Sequence, residues 1–191
     1  MIRLQGHNNF MRGAADAVNP LNHPLFKVRA TSDDMLGSAT GTGSEVVVHE
    51  WSYAAAKALR KAGWRPGRQV DTTRWREQFA AGGVVMHPAA ERFLAEFGGL
   101  RFRGGWWWVL SAAEVVDLDP ELCADEGDRF LHWSRELGIS LFPVGRAEGI
   151  YPLGIDQDGV IYLVATWVAR FGALDEGVEA LVRGDLPKNV A

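Results

Sequence analysis

The 191-residue sequence holds one cysteine, Cys123. A single thiol excludes an internal disulfide and fits a reducing compartment, so a cytoplasmic location is expected. No stretch approaches the roughly 18–20 apolar residues of a membrane span, and the N-terminus lacks the apolar run of a secretory signal, so no membrane partner is expected. Signatures of catalysis are also missing. No Gly-x-Gly-x-x-Gly follows a strand pattern, no phosphate loop ends in Gly-Lys-Ser/Thr, and no Gly-x-Ser-x-Gly elbow occurs.

The residues that come nearest to chemistry read as structural. His7, His23, His49, His87 and His132 are scattered, and no two stand at helical ligand spacing. His49-Glu50 opens like a zinc-protease motif, but Tyr53 occupies the position of the second ligand. Asp156-Gln157-Asp158-Gly159 starts like a calcium loop without the later bidentate Glu, and it reads as a hairpin turn. Cys123 lies among Asp119, Glu121, Asp125 and Glu126, whose charge favours the thiol over the nucleophilic thiolate. The expectation is a protein with no catalytic residue, no cofactor and no metal.

What is present is ample core material and an uneven charge. Apolar residues make up 47% of the chain and charged residues 23%, enough for a core without staples. Eight tryptophans are available for that core or for a binding surface. Residues 1–45 carry no net charge, residues 46–110 are net +5 and residues 111–191 net −9. Such asymmetry implies either a surface for a charged partner or complementarity between the two halves of the chain. Nucleic acid is a poor fit as partner, because the chain is acidic and Trp106–Trp108 has only Arg101 and Arg103 upstream.

Residues 1–45 show no sustained apolar period, and Ser38–Ser44 is linker-like, so they are expected to form a flexible N-terminal extension. From Val46 onward, order is expected. Apolar spacing predicts helices over 51–62, 71–81, 88–97, 125–137 and 174–182, each stopped by glycine, two of them by the pairs Gly82-Gly83 and Gly98-Gly99. Leu100–Arg103 and Trp106–Leu110 around Gly104-Gly105 read as a hairpin, in which Trp107 opposes Trp106 and Trp108. Ser111–Glu114 fits a capping box, and Asp117–Asp128 reads as acidic and irregular. Strands are expected over 139–144, 151–156 and 160–164. Helices first, then strands with inserted helices, give an α+β fold whose sheet is largely antiparallel.

Several segments resemble one known family in order. Ala62-Gly63-Trp64-Arg65-Pro66-Gly67-Arg68 resembles the Gly-Trp-x-Pro-Gly-Arg opening of subgroup three of the SUKH superfamily of bacterial toxin-immunity proteins. His87–Leu100 resembles that family's Pro-x-x-x-x-Phe-Leu…Gly-Gly segment. Leu137-Gly138, Leu141–Gly145 and Leu153–Tyr162 resemble its later strands, and Phe171–Gly184 its final helix. The resemblance implies a SUKH-like immunity domain over residues 46–191, an α+β fold with helices packed on a mixed, mostly antiparallel sheet, in a cytoplasmic protein that binds and neutralises a polymorphic toxin, often a nuclease or deaminase. It carries no catalytic residues over.

Beside that reading stand Glu114, Asp117, Asp119, Glu121, Asp125, Glu126 and Asp128, a run without Lys or Arg that could steer a basic partner. With Trp107 they are the expected partner-binding residues. A housekeeping interaction module and an undetected enzyme are the alternatives from other classes.

Overall fold

The computed structural model describes His49, residues 51–104 and residues 115–191, which fall within one compact unit, Ser44–Ala191. The expectations placed on residues 1–45, Trp106–Leu110 and Ser111–Glu114 lie outside the described residues.

Five α-helices form where the apolar spacing places them. In α1 (Tyr53–Lys61), Ala55 and Leu59 bury one face, and the Ser52 hydroxyl caps the start by accepting from the Ala55 N–H at 3.3 Å. In α2 (Thr73–Ala81), Trp75 and Phe79 are the buried pair, four residues apart. For α3 (Pro88–Phe97), proline suits the first helical position, and Nδ1 of His87 accepts from the Ala90 N–H at 3.2 Å. Helices α4 (Gly127–Leu137) and α5 (Leu174–Arg183) each end at a left-handed glycine, Gly138 and Gly184.

The strands are β1 (Arg101–Arg103), β2 (Val115–Asp117), β3 (Phe142–Ala147), β4 (Tyr151–Ile155), β5 (Val160–Val164), β6 (Val168–Ala173) and β7 (Lys188–Asn189). They form one sheet in sequence order, and every pairing among the described residues is antiparallel. The chain is therefore an α+β protein, with α4 inserted between β2 and β3 and α5 between β6 and β7. Strands β3, β4 and β5 bury residues on both faces, as strands covered on two sides do. Phe79 of α2 meets Phe142 of β3 edge-on at 5.3 Å. Phe130 of α4 lies so close to β4 that a Cβ on Gly154 would stand 2.8 Å from its ring.

Arg101–Arg103 pairs with Val115–Asp117. Two sequence expectations shift. The strand expected over 139–144 runs over 142–147, because the Leu141 N–H is held by the Ser134 hydroxyl and a bulge lies between Pro143 and Gly145. The segment 117–128 is not irregular: Asp117 belongs to β2, Pro120–Cys123 is a 3-10 helix, and α4 begins at Gly127.

Candidate partner-binding surface

The acidic run is built on three elements, and each anchors its carboxylates differently. Asp117, on β2, faces Arg101 of β1 at 3.7 Å. Burial raises its pKa, Arg101 opposes that rise, and the neighbouring Asp119 adds to it. Asp119 caps the 3-10 helix by accepting from the Glu121 N–H at 3.0 Å. Glu121 reaches Arg74 of α2 at 2.7 Å. Asp125 and Glu126 share Arg146 of β3, at 3.4 and 3.2 Å, and Glu126 also holds Arg129 of α4 at 3.0 Å. Asp128 is exposed in the first turn of α4, where its charge suits the helix dipole.

Arg74, Arg101, Arg129 and Arg146 thus come to a run that contains no basic residue of its own. Of the two readings of the charge asymmetry, complementarity between halves is partly realised: Arg74 and Arg101 come from the basic half and meet Glu121 and Asp117 of the acidic half. Among the described residues, Asp119 and Asp128 make no ion pair, and Asp125 is 84% exposed despite its contact with Arg146. The negative potential offered to a partner therefore concentrates on Asp125 and Asp128. Exposed pairs of this kind contribute only about 0–1 kcal/mol each, so they remain available for exchange.

The structure adds two residues that the sequence reading missed. Leu122, on the 3-10 helix, and Ile150, in the β3–β4 turn, are exposed apolar side chains. Arg146 links their neighbourhoods, touching Asp125, Glu126 and the Gly149 carbonyl. Leu122 follows Glu121 in the sequence, whereas the place of Ile150 in the β3–β4 turn depends on the pairing of those strands. Glu114 and Trp107 lie outside the described residues.

The other candidates resolve as parts of the scaffold. Cys123 is buried, its thiol donates to the Gly145 carbonyl at 3.1 Å, and burial pushes its pKa up to about 11. Asp156 spends both carboxylate oxygens on its own hairpin. Oδ1 accepts from the Asp158 and Val160 N–H groups at 2.9 Å each, and Oδ2 accepts from the Tyr162 hydroxyl at 2.9 Å. His87 caps α3 and donates from Nε2 to the Ile155 carbonyl at 3.2 Å, and burial lowers its pKa. A cleft of about 170 Å³ lies between α3, the β4–β5 turn and the start of α5, beside Arg92, Glu96, Asp158 and Leu174. It is smaller than the roughly 300–1,000 Å³ of small-molecule sites. Among the described residues, no group of three or more His, Cys, Asp and Glu is arranged to hold a metal ion, and no helix is long and apolar enough to cross a membrane.

The segment 62–68 has a structural explanation. After α1, Gly63 takes φ +103° and Gly67 φ +72°, conformations that favour glycine. The turn closes with the Arg68 N–H on the Arg65 carbonyl at 3.1 Å. Trp64 then buries its ring and donates its indole N–H to Glu96 Oε1 at 2.9 Å. Arg68 donates to the carbonyls of Glu96 and Gly98 at 2.6 and 2.7 Å, capping the C-terminal end of α3. Gly98 itself has no room for a Cβ, which would stand 2.6 Å from the Trp75 ring.

Compared with known proteins, residues 51–184 match the model of one family, described as SUKH-3 immunity protein. No curated protein and no solved structure gives a significant match.

Proposed function

We propose that this chain, which belongs to the SUKH-3 immunity protein family, neutralises a bacterial toxin by binding the toxin domain directly, without catalysis. The family match over residues 51–184 carries the reading. Within it, Gly63-Trp64-Arg65-Pro66-Gly67-Arg68 serves as the subgroup's signature because it locks α1 to the end of α3, a structural role and not a contact with the toxin.

The toxin is a basic protein domain of the nuclease or nucleic-acid deaminase type, and the complex forms in the cytoplasm. The binding domain is residues 46–191. Its interface centres on Asp125 and Asp128, with Leu122 and Ile150 as apolar anchors and Asp117, Asp119, Glu121 and Glu126 supplying longer-range field. Glu114 and Trp107 belong to the same proposed interface by their place in the sequence. Exposed carboxylates steer a basic partner and lose that effect as salt screens them.

Co-expression with the toxin domain encoded beside this chain is the test. Growth is expected to be rescued by the native chain and less well by Asp125→Lys combined with Asp128→Lys. Failure of the native chain to rescue growth, when both proteins are made in folded form, would count against the function. Full rescue by the double variant would count against the surface alone.

A further inference from the structure

The His49 side chain is enclosed, with 1% of it exposed. Its ring stacks on Trp51 with centroids 4.3 Å apart and meets Trp64 and Phe97 edge-on at 6.1 and 5.8 Å. Each ring nitrogen stands against a carboxylate from a different helix. Nε2 lies 2.9 Å from Glu96 Oε1 on α3, and Nδ1 lies 2.5 Å from Asp175 Oδ1 in the first turn of α5.

We propose that Glu96, His49 and Asp175 form a pH-sensitive latch: the protonated imidazole ties α3 to α5 and seats the start of α1, and loss of that proton loosens α1. The argument is one of donors and acceptors. A carboxylate accepts and an imidazolium donates from both nitrogens, so the cation satisfies both contacts. Either neutral tautomer keeps one N–H and turns the other nitrogen's lone pair toward a carboxylate oxygen. One contact then changes from attraction to repulsion in a buried setting.

The surrounding groups support the charged form. Glu96 acts on His49 from α3 and Asp175 from α5. Glu179, also on α5, accepts from the Ser52 N–H at 3.1 Å and so holds the residue that caps α1. From the turn after α1, Trp64 donates to the same Glu96 oxygen that His49 meets, and Arg68 lies on the Glu96 backbone carbonyl. The stacked Trp51 face also favours a cation. Burial alone would drive the proton off. The hydrogen bonds and charges of Glu96 and Asp175 together outweigh it, and the pKa of His49 stands above 6.5.

The sign follows from that rise. The latch is fully engaged below about pH 6.5, where an undocked His49 would also be protonated. It weakens as pH climbs from there through the raised value, and above that value it contributes nothing further. Within this window the opening equilibrium shifts by up to about tenfold per pH unit.

Ring NMR of His49 and hydrogen exchange of the α1 amides, corrected for intrinsic rate, test this in the full chain. His49 is expected to titrate above 6.5, with protection of the α1 amides falling across the same window. In Asp175→Asn the His49 titration is expected to move down and the window to narrow; in His49→Gln the pH dependence of α1 is expected to vanish. Titration of His49 at or below 6.5, protection that is flat across the window, or an unchanged slope in His49→Gln would overturn the latch. Should His49→Gln fail to fold, the native titration and Asp175→Asn, whose carboxylate is 44% exposed, decide it.

Discussion

Replacing Asp156 by Ala is expected to destabilise the domain by about 3–5 kcal/mol. Asp156 is 3% exposed and accepts three hydrogen bonds, from the N–H groups of Asp158 and Val160 and from the Tyr162 hydroxyl. Hydrogen bonds to a charged group contribute roughly 1.5–3 kcal/mol each, and orphaned buried partners add a desolvation cost. The sum is held below three full bonds because Asp158 is exposed and water can reach its N–H. Asp156→Asn keeps an acceptor for the turn and should lose only about 1–2 kcal/mol. Tyr162→Phe removes the hydroxyl alone and should lose about 1.5–3 kcal/mol. Urea unfolding of the three variants at constant m gives the measurement. The double variant Asp156→Ala with Tyr162→Phe should lose less than the two single losses combined, since they share one bond. An Asp156→Ala loss within 1 kcal/mol of zero would refute the assignment of this carboxylate to the hairpin.

Two further outcomes are expected. Trp64→Ala should cost about 3–5 kcal/mol in urea unfolding, because it empties a buried site and leaves Glu96 Oε1 without the indole donor; a loss near zero would mean the ring is not seated as described. His87 has a folded-state pKa below 6.5, so the stability it contributes is present above 6.5 and lost as pH falls from there through the lower value. His87→Asn, which keeps a capping acceptor without titrating, should flatten that slope, and an unchanged slope would contradict the cap.

The helices were legible because their signals are local. Ala55 with Leu59, Trp75 with Phe79, and Phe93 with Phe97 mark buried faces by spacing, and glycine follows each helix within a residue or two. The β4–β5 hairpin was legible for the same reason, since Asp156 through Gly159 carries its own turn chemistry. Strand β6 is not legible in the sequence, because Val168-Ala169-Arg170-Phe171-Gly172-Ala173 lacks strict alternation; its burial is likewise non-alternating, and its register shifts against β5. At the acidic run only the Glu126–Arg129 pair is local in sequence; the other ion pairs depend on the fold. Arg74 and Glu121 are distant in sequence and meet only once α2 and the 3-10 helix are in place. The same holds for His49, which read as an isolated histidine and is joined to Glu96 and Asp175 only by the packing of α3 and α5.

Titration of the purified toxin domain with the purified chain, following toxin activity and heat of binding together, addresses the central claim. The expected result is loss of toxin activity that is complete at a fixed stoichiometric ratio, with an association rate that falls as salt rises and falls further in Asp125→Lys with Asp128→Lys. Toxin that stays active with the chain in saturating excess, or that is inactivated many times over by a trace of it, would contradict neutralisation by simple binding.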